Sequence, residues 1–260
     1  MKIDLTGRVA LVTGGTSGLG LAIAKQFVIC GARVVVMARD VQRLNQTKAE
    51  LDGLGQHPIT LVSCDLTQVA SVESALAQLP QLNLYPDILV NNAGSSARSD
   101  FLELQAQQLT ADFQLKLFSA IKLTQHVLPH MKSQGFGRII NVTAIVGKTP
   151  NAGSAPTALS RAAGLAWTKA LSLEFAPFGI TVNSLCVGKI DSDQWRRRYN
   201  QSNKEQSYDG YLQQLGENIP MKRMGTAEEF ANVATFMASD YSSYVTGCAI
   251  NVDGGLCAVT

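Results

Sequence analysis

A glycine-rich segment near the amino terminus has the composition of a phosphate-binding loop. Residues 13–20 read TGGTSGLG and separate a short apolar run from a stretch of helix-forming residues. Glycines allow a tight turn and bring backbone N–H groups close to a phosphate, and the first turn of a helix adds a partial positive charge. The spacing is Gly-x-x-x-Gly-x-Gly rather than the generic Gly-x-Gly-x-x-Gly, but the position between a strand and a helix predicts that it binds the pyrophosphate of a dinucleotide. The residues assigned to this role are Gly14, Thr16, Ser17, Gly18, Leu19 and Gly20.

The end of the second apolar run bears on which dinucleotide would bind. Sites that select NAD usually place a carboxylate there to hold the ribose 2′-hydroxyl, whereas a nearby arginine accommodates the 2′-phosphate of NADP. Here Ala38 is neutral and Arg39 follows it, while Asp40 is well placed to cap the next helix. The sequence therefore favours NADP(H) over NAD(H) as the cofactor. The alternative is that Arg39 is only a surface charge.

The segments that must position this loop alternate between two kinds. Continuous apolar runs predict strands that are covered on both faces, and the amphipathic stretches between them predict helices. The strands are predicted at residues 9–13, 33–37, 60–64, 88–90, 137–142, 180–185 and 249–252. The helices are predicted at residues 18–30, 41–54, 69–78, 104–133, 156–178 and 227–239.

This alternation predicts the fold class. Repeated βαβ units with right-handed crossovers form a doubly wound sheet. We therefore expect an α/β fold in which residues 1–260 form a single Rossmann-type domain. Its parallel sheet should have about seven strands, with helices on both faces.

The composition suits such a fold and argues against several other classes of protein. The 260 residues include 46% hydrophobic and 16% charged residues, with a net charge of +2, so a large core can form without a basic block of the kind that follows nucleic acid. No stretch reaches the roughly 18–20 apolar residues that span a bilayer, and the amino terminus resembles a buried strand rather than a signal peptide. We expect a cytoplasmic protein that binds neither nucleic acid nor membranes.

Neither the five cysteines nor the three histidines have the spacing of a metal site. The cysteines are odd in number and are interpreted as small core residues in a reducing compartment. His126 and His130 lie four residues apart on a predicted helix, but no acidic residue lies between them. No metal is predicted.

Motifs along essentially the whole chain resemble the short-chain dehydrogenase/reductase family. Besides the glycine-rich loop, they are Asp65 after the third strand, NNAG at residues 91–94, GITVN at 179–183, YVTG at 244–247 and NVDGG at 251–255. The resemblance implies a homotetramer or homodimer that acts on a small-molecule substrate.

The resemblance also assigns further positions to the cofactor. Asp65 and its neighbour would contact adenine, the segment 91–94 would pass beside the ribose, and the segment from 187 onward would line the nicotinamide. Val187 stands where the family usually has proline. The positions assigned in this way are Asp65, Leu66, Asn91, Ala93, Gly94, Arg161, Val187, Gly188 and Ile190.

The same resemblance exposes a departure at the family's catalytic positions. Members use a tyrosine to transfer a proton, a lysine four residues later to lower its pKa and hold the ribose, a serine to polarise the substrate oxygen and an asparagine to anchor a relay water. These positions hold Thr157, Arg161, Ala144 and Lys116 here. A threonine hydroxyl is a far weaker acid than a tyrosine, whose pKa of about 10 a cation can lower. Arg161 can still donate to the ribose but will not release its proton.

Two functions therefore remain open. The first is an oxidoreductase with altered proton chemistry, in which burial could tune the amine of Lys116. The second is a catalytically silent NADP(H)-binding sensor or partner subunit. A lyase or isomerase is a third possibility for which the sequence offers no motif. The candidate replacement groups are Lys116, Thr157 and Arg161 at the altered positions, Ser154 and Ser160 near the substrate, and Tyr199, Tyr208 and Tyr211 further along.

A long polar segment at residues 192–223 interrupts the alternation and predicts a lid or substrate loop. Lys189 and the arginines at 196–198 lie at its start. If one or two of them face inward, the substrate is expected to carry a carboxylate or phosphate. Three consecutive residues cannot share one helix face, so only part of the arginine triplet can contribute.

Overall fold

The sheet is the element that carries the site. A computed structural model describes residues 2–202 and 206–260, and its seven strands are parallel in the order β3-β2-β1-β4-β5-β6-β7. The central strands are buried along their whole length, as in β1 and β4, which explains why their sequences are continuously apolar. The strands are β1 (Val9–Thr13), β2 (Arg33–Ala38), β3 (Thr60–Ser63), β4 (Ile88–Asn91), β5 (Gly137–Ala144), β6 (Ile180–Val187) and β7 (Ala249–Val252).

Helices cover both faces of this sheet. Within the described residues they are α1 (Gly18–Ile29), α2 (Val41–Leu51), α3 (Val69–Gln81), α4 (Ala106–Phe113), α5 (Ser119–Gln134), α6 (Ala155–Phe175), α7 (Asp193–Gln201), α8 (Tyr208–Gly216) and α9 (Ala227–Ala238). Helices α1, α2 and α9 pack on one face, around the fully buried Phe27 and Phe230. Helices α3 and α5, with part of α6, pack on the other. The predicted single-domain, doubly wound Rossmann-type α/β fold is confirmed.

Over residues 2–202 and 206–260, no helix has both the length and the apolar character needed to cross a bilayer.

The largest difference from the sequence prediction concerns the long helix expected at 104–133. A 3₁₀ turn at Phe101–Glu103 precedes α4, and a π turn at Gln114–Phe118 joins α4 to α5. Lys116 and Leu117 in the π turn are both buried. Single π turns inside α-helices are often found at functional sites, and this one contains Lys116, one of the positions that the resemblance assigns to catalysis.

Strands β5 and β6 also run further than the predicted 137–142 and 180–185. Each is extended by two residues because the ends pair with each other, Thr143 with Cys186 and Ala144 with Val187. These extra residues bring the ends of both strands to the edge of the sheet where the ligand cleft lies.

The polar segment at 192–223 is helical over much of its length, since it contains α7 and α8; residues 203–205 lie outside the described residues. Its base is fixed by backbone hydrogen bonds from Asp191 to Gly225, at 2.9 Å, and from Gly225 to Lys189, at 3.1 Å. The segment is therefore anchored where it leaves and rejoins the domain.

Candidate active site

A cleft opens where the strand order reverses. Strands β2 and β3 lie on one side of β1, and β4 to β7 lie on the other. Open α/β sheets bind ligands in the crevice at the carboxyl ends of the strands at such a switch point. The cleft found there has a volume of about 720 Å³.

The glycine-rich loop forms one wall of the cleft and is held by the end of β4. Gly14 and Gly18 have φ angles of +64° and +52°, a left-handed conformation that favours glycine. The Asn92 amide donates to the carbonyl oxygens of Thr13, at 2.8 Å, and Gly14, at 3.2 Å. A Cβ atom on Gly20 would lie 2.3 Å from the Gly14 oxygen. The glycines therefore allow the loop to pack closely against the start of α1.

The loop fits a pyrophosphate in a second respect. Ser17 precedes the first turn of α1, and its side chain makes no capping hydrogen bond. Helices normally satisfy their first N–H groups with such a cap, with water or with a ligand. The amino terminus of α1 is thus available to an anion in the cleft.

Most of the residues assigned to the cofactor line this cleft, and two do not. Asp65 accepts hydrogen bonds from the backbone and hydroxyl of Thr67, at 3.0 and 2.8 Å, and these bonds lower the pKa of its carboxyl group. The Asn91 amide donates to Asn141, at 2.8 Å, within the sheet. The assigned residues that line the cleft are Gly14, Thr16, Ser17, Gly18, Leu19, Gly20, Arg39, Leu66, Ala93, Gly94, Arg161, Val187, Gly188 and Ile190.

Two arginines, Arg39 and Arg43, follow β2 and face the cleft. Arg39 is exposed and lines the cleft, and so does Arg43 in the first turn of α2. Arg43 also approaches Asp193 of α7, at 3.4 Å. Asp40 caps α2 as predicted, accepting from the backbone of Gln42 and Arg43. The sequence interpretation did not assign Arg43 to the cofactor, although a second arginine four residues after Arg39 was a usable signal.

The four positions that the resemblance assigns to catalysis come together at the floor of the cleft. Ala144, Thr157 and Arg161 line it, whereas Lys116 lies beneath them with 1% of its side chain exposed. The ammonium group of Lys116 is 2.5 Å from Asp112 Oδ1 and 3.3 Å from Thr157 Oγ1. The hydroxyl of Thr157 therefore connects a buried cation to the cleft.

Burial gives Lys116 an unusual proton affinity. Desolvation of its ammonium group, with a smaller contribution from the charge of Arg161, lowers the pKa of Lys116 to about 8, while Asp112 opposes that shift. Burial also lowers the pKa of Arg161, to about 10. At neutral pH Arg161 remains a cation. The pKa of Lys116 is close to neutral pH, so its ammonium group can give up a proton.

Asp112 and Ser160 complete this cluster, and the sequence interpretation did not find the pairing. Asp112 is buried, and its Oδ2 accepts a hydrogen bond from Ser160 at 2.5 Å. The four-residue spacing of Asp112 and Lys116 was a usable signal for an ion pair on one helix face. Ser160 is thus held in the cluster, and Ser154, which lines the cleft, donates to the Asn151 carbonyl oxygen at 2.5 Å.

The Thr157 hydroxyl is fully engaged in this conformation. It donates to the Ala97 carbonyl oxygen, at 3.0 Å, and accepts from the Ala97 N–H, at 2.8 Å, in addition to Lys116. A hydroxyl offers one donor and two acceptor sites, and all three are used. A substrate can bond to Thr157 only where Ala97 gives way.

Arg161 has an unsatisfied donor. Its Nη1 donates to the Val142 carbonyl oxygen, at 2.6 Å, but its buried Nε has no hydrogen-bond partner within the described part of the chain. A Cβ on Gly94 would lie 2.9 Å from Arg161 Nη2. Buried donors are nearly always paired, so a cofactor hydroxyl beside Gly94 suits this guanidinium.

The three tyrosines of the 192–223 segment, Tyr199, Tyr208 and Tyr211, pack against one another and do not line the cleft. The ring centroids of Tyr199 lie 5.3 Å from Tyr208 and 5.7 Å from Tyr211. Tyr208 donates its hydroxyl to Asp191, and burial and that carboxylate raise the pKa of Tyr208. None of these phenols is placed to give a proton to a ligand in the cleft.

No group of three or more metal-ligating side chains occurs within residues 2–202 and 206–260. All five cysteines are free thiols.

Comparisons with known proteins extend over nearly the full length. The sequence profile described as enoyl-(acyl carrier protein) reductase matches residues 14–257. An oxidoreductase named UcpA from Salmonella typhimurium is 34% identical over 254 residues, 96% of this chain and 95% of its own. The 3-oxoacyl-acyl-carrier-protein reductase FabG of Aquifex aeolicus is 32% identical over 98% of this chain and 100% of its own. The crystal structure of L-sorbose reductase from Gluconobacter frateurii, complexed with NADPH and L-sorbose, has a TM-score of 0.95 at 30% identity and covers 100% of both chains.

Proposed function

The chain belongs to the short-chain dehydrogenase/reductase family, and from that premise we propose that it is an NADP(H)-dependent oxidoreductase. Its reaction would move a hydride between the nicotinamide and a carbonyl or hydroxyl group of a small-molecule substrate. The observation that carries the proposal is the buried chain of hydrogen bonds from Asp112 through Lys116 to Thr157, which ends at the cleft.

The cofactor would be held by groups that the fold already presents. The glycine-rich loop and the amino terminus of α1 would bind the pyrophosphate, and Arg39 and Arg43 would bind the 2′-phosphate. The unsatisfied Nε of Arg161 would donate to the nicotinamide ribose. The solved NADPH complex of L-sorbose reductase supports the choice of cofactor. The assignment of Asp65 and Asn91 to the cofactor stays a prediction, because their side chains form hydrogen bonds with Thr67 and Asn141.

The proton would come from Lys116 by way of Thr157. When bound, the nicotinamide supplies the hydride for reduction. Thr157 would pass its hydroxyl proton to the substrate oxygen and take one from the Lys116 ammonium, which must be reprotonated before the next turnover. Before this step the Thr157 hydrogen must turn away from the Ala97 carbonyl oxygen, so substrate binding must displace the segment around Ala97. Arg161 stays charged throughout and stabilises negative charge on the substrate oxygen.

A second candidate is a catalytically silent NADP(H)-binding sensor or partner subunit. The observation that favours it is the complete use of the Thr157 hydroxyl by Ala97 and Lys116. If the segment around Ala97 does not move, the cofactor site remains but Thr157 cannot pass a proton to a substrate.

Turnover of NADPH with a panel of aldehydes and ketones separates the two candidates. We expect Lys116→Met to lower kcat by about 10²–10⁴-fold, the usual contribution of a positioned acid, while NADPH affinity changes little. Reduction by the wild type should slow as the pH rises above about 8, because Lys116 then loses its proton. The matched control is Lys122→Met, a half-exposed lysine further along the same helix.

Three outcomes are informative. NADPH binding without turnover of any compound supports the sensor. A rate that Lys116→Met leaves unchanged removes Lys116 from the reaction. Failure to bind either NADPH or NADH overturns the proposal as a whole.

Assembly and location complete the proposal. We propose a homotetramer or homodimer, supported by the exposed leucines on α6, Leu159 and Leu173. Light scattering on the purified protein measures the oligomeric state.

We also propose a cytoplasmic location, because the five free thiols suit a reducing compartment. The cationic lining of the cleft favours an anionic substrate over a neutral one.

A further inference from the structure

The lining of the cleft is strongly cationic, although the chain as a whole carries a net charge of only +2. The two acidic side chains in the described lining are Asp40, which caps α2, and Asp193, which pairs with Arg43. Arg39 and Arg43 lie at the cofactor end. A second group of arginines lies elsewhere in the cleft and has no role in the cofactor site.

Helix α7 lies across the mouth of the cleft and determines where these arginines point. Asp193 reaches Arg43 of α2, and the Gln194 side chain accepts a hydrogen bond at 3.3 Å from the backbone of Ser96, which follows β4. The first turn of α7 therefore spans the cleft from the cofactor end to the segment after β4. Residues four apart share a helix face, so Arg198 lies on the face of α7 that carries Gln194, which contacts the segment after β4 rather than Arg43.

The arginine triplet is divided by this geometry. Arg197 and Arg198 line the cleft, whereas Arg196 stacks on the Tyr208 ring at 4.2 Å and does not. Arg198 lies 4.6 Å from the centre of the Trp195 ring, a contact that orients its guanidinium. Lys189 lines the cleft, but its ammonium donates to the Leu215 carbonyl oxygen at 3.3 Å.

Arg98 lines the cleft from the segment after β4, the segment that Gln194 of α7 contacts at Ser96. It follows Ala97, whose backbone contacts the Thr157 hydroxyl on both sides. Its guanidinium is 3.5 Å from the Ala152 carbonyl oxygen, in the loop that leads into α6. Neither Arg98 nor Arg198 lies within ion-pair distance of an acidic side chain in the part of the chain that the structure describes.

We propose that Arg98 and Arg198 bind an anionic group of the substrate, so that the enzyme acts on carbonyl or hydroxy compounds that carry a carboxylate or a phosphate. The inference rests on the proposed function and specifies its substrate class. A guanidinium matches both anions through paired hydrogen bonds. L-Sorbose, the ligand of the solved relative, has no such group.

Two pairs of compounds that differ in charge test the proposal with the NADP(H)-saturated protein. They are dihydroxyacetone phosphate with dihydroxyacetone, and acetoacetate with methyl acetoacetate. We expect one charged member to exceed its neutral partner at least tenfold in kcat/KM, and the pair that shows this identifies phosphate or carboxylate as the preferred group. Arg98→Gln and Arg198→Gln should each abolish most of that ratio. Arg196→Gln, on the same helix but outside the cleft, should retain it.

Calorimetric titration of the same compounds into the NADP⁺ complex measures their binding affinity without turnover. If the proposed reaction fails but the charged compound still binds better than its neutral partner, the substrate site stands and only the chemistry is wrong. Equal affinities within both pairs, or no binding of either charged compound at millimolar concentration, would overturn the inference. Ratios unchanged by both arginine variants would do the same.

Discussion

At the scale of single residues, Lys116, Asp112 and Ser160 depend on one another. A lysine buried at position 116 needs a counter-charge, and Asp112 supplies it one helical turn earlier. Asp112 in turn needs a second donor, which is Ser160. Removing one member of a buried ion pair leaves the other as an uncompensated charge, which costs far more than replacing both. The cluster is therefore a unit, and a change to one member alters the electrostatic environment of the others.

This coupling gives a stability prediction. Lys116→Met alone should lower the free energy of unfolding by about 3–5 kcal/mol, because Asp112 is left buried without its partner. The double variant Lys116→Met with Asp112→Asn should recover most of that loss. Urea denaturation at pH 7 measures both. Equal stability of the single and double variants would show that the unpaired Asp112 is not what destabilises the single variant.

The pH dependence of stability follows from the same lysine. Its pKa is about 8 in the folded chain against an ordinary value of 10.5. Between these two values the unfolded chain binds a proton that the folded chain has released, so stability rises with pH across this window. Below about pH 8 both states are protonated and the dependence disappears. The wild type should gain stability between pH 8 and 10.5 relative to the double variant. Parallel profiles would mean that Lys116 titrates normally.

At the scale of elements, the sequence predicts the parts whose signal is local. Continuous apolar runs identified all seven strands, and a glycine-rich segment between a strand and a helix identified the loop between β1 and α1. The ends of β5 and β6 were placed too early, because the pairing of Ala144 with Val187 depends on a neighbouring strand. The π turn at Gln114–Phe118 has no local signal. Contacts such as Asp112 with Ser160, 48 residues apart, arise from the packing of α4 against α6.

The contact between α2 and α7 gives a prediction at this scale. Asp193 engages Arg43 across the cleft mouth, and both side chains are about half exposed, so the ion pair itself is worth at most about 1 kcal/mol. Asp193→Asn removes a negative charge near the proposed 2′-phosphate site and frees Arg43. NADPH affinity should then rise about two- to fivefold, with NADH affinity nearly unchanged, as fluorescence titration would show. Asp209→Asn on α8, outside the cleft lining, is the control. An equal rise in affinity for NADPH and NADH would show that Arg43 does not bind the 2′-phosphate.

At the scale of the whole molecule, charge is uneven although its total is small. The cations at the carboxyl edge of the sheet belong to α2, α6, α7 and the segment after β4, which no single motif connects. A cleft lined by one sign of charge concentrates ligands of the opposite sign and speeds their association. The cofactor phosphates and the proposed substrate anion would share this field, so their binding should weaken together as ionic strength rises.

Thermal unfolding with each cofactor tests the binding claim apart from catalysis. A ligand at a hundred times its Kd stabilises the folded state by about 2.7 kcal/mol, which should raise the Tm of a chain of this size by roughly 5–10 °C. NADPH should produce this shift at concentrations where NADH produces much less. Arg39→Gln should reduce the NADPH shift toward that of NADH, with Arg43 keeping part of the difference, whereas Lys116→Met should leave the difference between the cofactors intact. Equal shifts for both cofactors, unaffected by Arg39→Gln, would make Arg39 an ordinary surface charge and leave the glycine-rich loop as the whole basis of dinucleotide binding.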